Sequence, residues 1–165
     1  MQFVSMMKTM NKHGMKPQFY EWADDKWTQF VRPDPTGELD VSVTLQPRRS
    51  YDNAVAVAKA TGGRLQVYIG WAFDPQFGGS FGVEHAWNVG PDGAVYDYSP
   101  NWRDKANAFY CGVLIPLDVA EQALALREVD FFYAVQTILF PGGEDTPEAD
   151  TPEPAHATFV DLAML

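Results

Sequence analysis

The fold is decided by Glu84-His85-Ala86-Trp87-Asn88-Val89-Gly90-Pro91-Asp92-Gly93-Ala94-Val95-Tyr96-Asp97-Tyr98, which predicts a β-hairpin. Gly90-Pro91-Asp92-Gly93 is a turn sequence, and it favours a type I turn with Gly93 in the left-handed conformation. That turn places His85 opposite Asp97 or one diagonal step away on the paired strand. Because the two positions share parity, both side chains are expected on the same face of the sheet.

A helix is predicted over Tyr51–Thr61, before the hairpin in the chain. Ser50 is a good N-cap, Asp52 suits the first turn, and Gly62-Gly63 ends the helix. The other elements are predicted from their hydrophobic periodicity. They are a helix over Phe3–Met10, strands at Leu39–Leu45, Leu65–Phe73, Glu84–Val89, Ala94–Tyr98 and Phe109–Ile115, a helix from Asp118 to Arg127, and over Val129–Phe140 a closing strand, with a helix as the alternative.

These elements predict one α+β domain over residues 1–140, with a four- to six-stranded antiparallel sheet packed against the helix that starts at Ser50. The chain has 165 residues, of which 46% are hydrophobic, and this supports a substantial core. No run approaches the roughly 18 apolar residues that span a bilayer. The N-terminus lacks the pattern of a secretory signal, and the chain has one cysteine, so an intracellular, cytoplasmic location is expected.

The formal net charge of −10 would repel a polyanion, so nucleic acid binding is not expected. Residues 141–156 contain Pro, Gly, Thr and acidic residues without a core-forming pattern, which predicts a disordered linker. Residues 157–165 return to apolar side chains, which would not follow a solvated linker unless they are buried. They predict a short segment that docks in an apolar groove, on a partner chain or on its own domain, through Phe159, Val160, Leu162 and Leu165.

Ser50, His85 and Asp97 follow one another in an order that suggests chemistry. Enzymes use this order when they place a nucleophile at a helix N-terminus and its base on a facing sheet. A carboxylate beside an imidazole fixes the tautomer of the ring and favours its protonated form. The free N–H groups and the dipole at the start of a helix favour a developing anion.

Five segments in this order resemble small papain-like, transglutaminase-like domains of bacteria and their phages: Ser50-Tyr51-Asp52-Asn53-Ala54, Val67-Tyr68-Ile69-Gly70-Trp71-Ala72, Glu84-His85-Ala86-Trp87, Gly93-Ala94-Val95-Tyr96-Asp97 and Tyr110-Cys111-Gly112-Val113. The resemblance covers residues 45–116. It implies a helix packed on an antiparallel sheet, and acyl transfer or amide hydrolysis by Cys, His and Asp or Asn. By position, Ser50 matches the nucleophile, His85 the base and Asp97 the orienting acid. Gln46 is a candidate oxyanion donor.

Ser50 departs from the family pattern, which has Cys at this position. A thiol there becomes a thiolate at neutral pH, whereas a serine hydroxyl needs the base during the attack itself. The expected function is a hydrolase or acyl-transfer scaffold acting on an amide or thioester bond. The chain is then an engineered inactive variant, a natural pseudoenzyme or a true serine enzyme. The alternatives are a non-catalytic interaction module that holds a peptide or protein in the same cleft, and an acidic inhibitor protein.

Each candidate residue also has a structural interpretation, since Ser50 is an ordinary N-cap and Asp97 can simply hold a packed His85. Cys111 lies in a predicted buried strand, where cysteine is inert packing, and its functional alternative is a Cys–His pair with His85. The three histidines are scattered, so no metal or cofactor is expected. If Ser50 and His85 lie on opposite sides of the sheet, both cleft interpretations fail.

Overall fold

The computed structural model of the protein describes residues 19, 22–31, 39–73, 82–100, 108–126 and 130–141. Helices and strands occur in the order β1 (Thr28–Val31), α1 (Ser50–Ala60), β2 (Gln66–Phe73), β3 (Gly82–Val89), β4 (Val95–Tyr96), β5 (Phe109–Ile115), α2 (Leu117–Ala125) and α3 (Phe131–Leu139). The five strands form one sheet in the order β1-β5-β2-β3-β4, and all of its pairings are antiparallel. The predicted α+β class and antiparallel sheet are confirmed.

The hairpin between β3 and β4 closes at the predicted turn. Gly93 has φ 78°, which is the left-handed conformation expected there, and its N–H donates to the carbonyl oxygen of Gly90 at 2.9 Å. The N–H of Gly90 donates to the carbonyl oxygen of Ala94 at 3.0 Å. β4 itself is limited to Val95–Tyr96, so the second strand of the hairpin is shorter than predicted.

Alternation of side chains along the strands separates the sheet into two faces. The helix face packs against α1, α2 and α3, and its buried strand residues are Val67, Ile69, Trp71, Phe73, Ala86, Cys111, Val113 and Ile115. The opposite face carries a second apolar cluster, made of Ala72, Trp87, Val89, Val95, Ala108 and Tyr110. Whether a polar residue on a strand can approach α1 therefore depends on its parity.

The closing strand predicted over Val129–Phe140 is wrong, because the structure has the helix α3 there. The side chain of Asp130 accepts a hydrogen bond from the N–H of Tyr133 at 2.9 Å and caps this helix. Its buried residues are Phe131, Phe132, Ala134 and Val135, a spacing that places them on one side of a helix. The β-branched and aromatic composition favoured a strand, but helical periodicity and the N-cap outweigh it.

The strand predicted over Leu39–Leu45 is also wrong, because this segment belongs to no sheet. Its exposure does alternate, with Val41, Val43 and Leu45 partly buried and Ser42 and Thr44 exposed. The alternation correctly indicates that one side of this segment packs against the rest of the protein. It does not indicate whether another strand lies beside the segment to pair with it. The predictions for Phe3–Met10, for residues 127–129 and for residues 142–165 lie outside the described residues. Among the described helices, none is long and apolar enough to cross a membrane.

A glycine pair allows β2 and β5 to approach each other closely. Gly70 pairs with Gly112, and a Cβ added to Gly70 would lie 2.6 Å from the Cα of Gly112. A Cβ added to Gly112 would lie 2.7 Å from the Cζ2 atom of Trp87. The pair therefore leaves room for the Trp87 ring on the opposite face.

Gly70→Ala should destabilise the protein by roughly 1–3 kcal/mol or more, because the added methyl group meets backbone that cannot move aside. Chemical denaturation followed by tryptophan fluorescence measures this change in the free energy of unfolding. Leu114→Ala is the control, because Leu114 lies on the same face but is 39% exposed. An unchanged unfolding midpoint for Gly70→Ala would contradict the close approach of β2 and β5.

Candidate functional site

His85 lies near the middle of β3 and points to the opposite face of the sheet. It is paired with Gly70, so its side chain lies on the same face of the sheet as those of Ala72 and Trp87, which belong to positions two residues away. Its ring is stacked with that of Trp87 at a centroid distance of 6.4 Å and an interplanar angle of 17°. The centroid of the Tyr110 ring lies 6.2 Å away. Both aromatic neighbours belong to the cluster on the opposite face.

Asp97 follows β4 directly and binds His85, as the parity of the hairpin predicts. The Oδ2 atom of Asp97 lies 2.9 Å from Nε2 of His85 and accepts a second hydrogen bond from the hydroxyl of Tyr110 at 2.8 Å. Its Oδ1 atom accepts from the N–H of Ser99 at 2.9 Å. The network is almost completely buried, with exposures of 5% for His85, 4% for Asp97 and 0% for Tyr110.

Three donors around one carboxylate determine which nitrogen of His85 carries the proton. A carboxylate can only accept hydrogen bonds, and Asp97 already accepts from a hydroxyl and a backbone N–H. Nε2 of His85 must therefore be the donor in its contact with Oδ2. In neutral imidazole this leaves Nδ1 as the basic nitrogen. The contacts of Asp97 thus hold the imidazole of His85 in one orientation and one tautomer.

Two further polar atoms are buried beside this network. Nε1 of Trp87 and Oγ of Ser99 each have no hydrogen-bond partner among the described residues. Trp87 stacks on His85, and Ser99 is tied to Asp97 through its backbone. Buried polar atoms are paired in most folded proteins, and exceptions are often found at functional sites. The opposite face therefore combines an oriented imidazole with two polar atoms that have no hydrogen-bond partner among the described residues.

Ser50 is the first residue of α1, but it is not the N-cap that the sequence predicted. The N-cap is Arg49, whose side chain makes no capping hydrogen bond. Its guanidinium instead donates two hydrogen bonds of 2.8 Å to the carboxylate of Asp52. The preceding residue, Arg48, has φ 59°, so the chain turns sharply into the helix. Ser50 is partly exposed at the start of α1.

Gln46 is held near the same end of α1 by Asn53. The backbone N–H of Gln46 donates to Oδ1 of Asn53 at 2.8 Å, and Nδ2 of Asn53 donates to the carbonyl oxygen of Gln46 at 2.8 Å. Asn53 is buried, whereas Gln46 is exposed. The structure thus places Gln46 and Ser50 at one helix end, through an asparagine that the site prediction did not include.

The sheet separates the four predicted site residues into two pairs. α1 packs on the helix face, where Ala54, Val55 and Ala58 join the core beneath it. Asn88 on β3 points to that side and donates to the carbonyl oxygen of Ala54 at 2.9 Å. His85 has the other parity and points away from α1. Among the described residues, no hydrogen bond joins Ser50 to His85 or Asp97, and the parity of β3 directs His85 away from the face on which α1 packs.

Cys111 lies on the helix face, so the alternative Cys–His pair with His85 is contradicted. Its neighbours on β5 are sorted by parity, with Tyr110 facing His85 and Cys111 facing the helices. Burial raises the pKa of the Cys111 thiol to about 11. A thiol in this environment stays protonated at neutral pH and is a packing residue.

Sequence reasoning missed the hydroxyl of Tyr110 and the backbone of Ser99 as partners of Asp97. The quoted segment around Tyr110 carried a signal, because a tyrosine on a strand that also contributes to the core needs a partner for its hydroxyl. Within the described ranges, no group of three or more His, Cys, Asp or Glu side chains is arranged to hold a metal ion. No family model, no curated protein and no solved structure matches the chain.

Asp97→Asn should lower the free energy of unfolding by about 1–3 kcal/mol, because an amide cannot accept all three hydrogen bonds and leaves buried donors unpaired. Tyr110→Phe removes a single donor and should cost about 0.5–1.5 kcal/mol. Urea denaturation measures both changes, with Asp118→Asn on the exposed side of α2 as the control. Equal stability of Asp97→Asn and Asp118→Asn would show that the network is not formed.

The Cys111 thiol should resist alkylation by iodoacetamide at pH 8 in the folded protein and react once the protein is unfolded in urea. With a pKa of about 11, only about 0.1% of the thiol is ionised at that pH. Mass spectrometry measures the labelling, and the chain has one cysteine, so the signal has a single source. His85→Ala should leave the labelling rate of the folded protein unchanged. A slower labelling rate in His85→Ala would support the interpretation that Cys111 and His85 form a pair.

Proposed function

We propose that the chain is a hydrolase of amide or thioester bonds on a papain-like or transglutaminase-like scaffold, in which His85 acts on a water molecule rather than on Ser50. The observation that carries this proposal is the contact between Nε2 of His85 and Oδ2 of Asp97. It orients the ring and makes Nδ1 the unprotonated nitrogen of the neutral imidazole. The α+β architecture, with α1 packed on an antiparallel sheet, agrees with the fold that the resemblance implies.

The roles follow from the positions of the groups. Nδ1 of His85 takes a proton from water as the water oxygen attacks the carbonyl carbon, and the imidazolium then gives this proton to the leaving amine or thiolate. Asp97 is a positioning residue that stabilises the imidazolium, and Tyr110 positions Asp97 in turn. The unpaired Nε1 of Trp87 is a donor beside the ring, of the kind that stabilises an oxyanion. Ser50 and Gln46 have no role in this mechanism.

The second candidate function is a non-catalytic module that binds a peptide or protein, and the burial of the network favours it. Asp97 accepts from three donors on β3, on β5 and in the chain after β4. A network of this kind can serve only to fix the strands. In that case His85 is a structural residue, and the partner binds elsewhere on the surface.

Hydrolysis of a panel of thioesters and peptide p-nitroanilides distinguishes the two functions. His85→Ala should lower the rate by about 10²–10⁴-fold, the usual contribution of a general base. Ser50→Ala is the matched control and should retain the rate of the unsubstituted protein. Thermal unfolding of each variant confirms that the comparison is made on folded protein.

Loss of activity in Ser50→Ala as well as in His85→Ala would mean that the two residues act as a pair and would overturn the water mechanism. Absence of turnover in the unsubstituted protein, together with a loss of stability in His85→Ala, would favour the binding module. A Ser50→Cys, Cys111→Ala variant adds an independent test with an electrophilic thiol probe. Its labelling should be the same with His85 and with His85→Ala.

A further inference from the structure

The segment Val41–Leu45 has the sequence of a strand but lies outside the sheet. It reads Val41-Ser42-Val43-Thr44-Leu45, in which three apolar residues alternate with two hydroxyl residues, and its two valines and its threonine favour a strand. The apolar side chains are partly buried and the hydroxyl side chains are exposed. This alternation is that of an extended chain with one side against the body of the protein.

Both ends of this segment are fixed. Asp40 forms an ion pair with Arg64 at 2.5 Å, just beyond the end of α1. Gln46 is bound through its backbone N–H and carbonyl oxygen to Asn53 in the first turns of α1. From Asp40 to Gln46 an extended chain spans about 20 Å, and its two anchors lie at opposite ends of α1, a helix of 11 residues that is about 16 Å long. The segment therefore runs alongside α1 in a nearly extended form.

The backbone between these anchors is not used inside the described part of the chain. Residues 41–45 make no backbone hydrogen bond to any described residue. A row of unpaired N–H and C=O groups in an extended segment is a template for pairing with another strand. Because the ends are already held, little further ordering is needed when a partner strand is added.

The sequence of the segment fits a second copy of itself. In an antiparallel pair centred on Val43, Val41 lies opposite Leu45 and Ser42 opposite Thr44 of the other copy, so apolar residues meet apolar residues. The same register places Asp40 opposite Gln46, which avoids two facing carboxylates. Residues 41–47 contain no charged side chain, although the chain has a formal net charge of −10. Two acidic copies can therefore approach each other at this segment without placing like charges opposite each other.

We infer that Val41–Leu45 pairs in antiparallel register with the same segment of a second copy of this chain, about a two-fold axis at Val43. The contact is isologous, because each copy contributes the same residues. Pro47, which lacks an N–H, limits the ladder at one end of each strand. The pairing does not involve His85 or Asp97, so it is independent of the proposed hydrolysis.

Charge substitution at the exposed positions tests this pairing in the full chain. In Ser42→Lys, Thr44→Lys, each lysine faces a lysine of the second copy, and like charges directly opposite each other disfavour the pair. In Ser42→Glu, Thr44→Glu, the same holds for carboxylates. Sedimentation equilibrium should give a concentration-dependent dimer for the unsubstituted chain, a monomer for each variant alone, and a restored dimer for their equimolar mixture.

Gln122→Lys, Ala125→Lys is the matched control, because it adds the same charge at two exposed positions of α2 and should dimerise as the unsubstituted chain does. Circular dichroism verifies that all variants are folded. An unsubstituted chain that remains monomeric at every concentration would overturn the inference and would leave a strand of another protein as the partner of this segment. A lysine variant that dimerises normally, or a mixture that does not, would also overturn it.

Discussion

The alternation of side chains along β3 determines which polar groups of this chain can meet. Ala86 and Asn88 point to the helix face, where Asn88 binds the backbone of α1. His85 and Trp87 point the other way, into the cluster that contains Tyr110. Because the period of a strand is two residues, no local adjustment can turn His85 towards α1 without a shift in register. Such a shift would also move Trp87 out of the space that the glycine pair leaves for it.

The carboxylate of Asp97 is the second determinant, since it converts this placement into a defined chemical group. A buried charge is tolerated when its lone pairs are satisfied, and Asp97 accepts from a side chain on β3, a side chain on β5 and its own following loop. The bonds from His85 and Tyr110 tie the chain after β4 to β3 and β5, and the bond from His85 fixes the tautomer of its ring. The packing of these strands and the orientation of the imidazole therefore depend on one group.

The hairpin shows what local sequence can predict. A turn motif and shared parity were sufficient to place His85 beside Asp97 and Gly93 in the left-handed conformation, because these features depend on residues close in the chain. Such local patterns do not predict on which face of the sheet α1 packs. It depends on the core that α1 shares with α2 and α3, and α3 lies where a strand was predicted. The assignment of Ser50 to the same cleft rested on the order of residues alone.

The segment Leu39–Leu45 also shows that local sequence does not predict long-range pairing. Its alternation correctly indicated one buried side, but pairing requires a neighbour, and the described sheet ends at β1 and β4 without it. Asp40 and Gln46 instead hold the segment along α1.

Replacing Ser50 by cysteine would not by itself create a thiolate–imidazolium pair in this architecture. The sole thiol, Cys111, already lies on the helix face together with α1, and burial is the cause of its raised pKa. A thiol needs a nearby cation or an accessible helix N-terminus to ionise, and a nucleophile also needs its base within hydrogen-bond reach. Ser50 has the helix N-terminus, whereas His85 has the carboxylate and the oriented ring, and the sheet lies between them. Among the described residues, Ser50 and His85 therefore do not form a nucleophile and base pair.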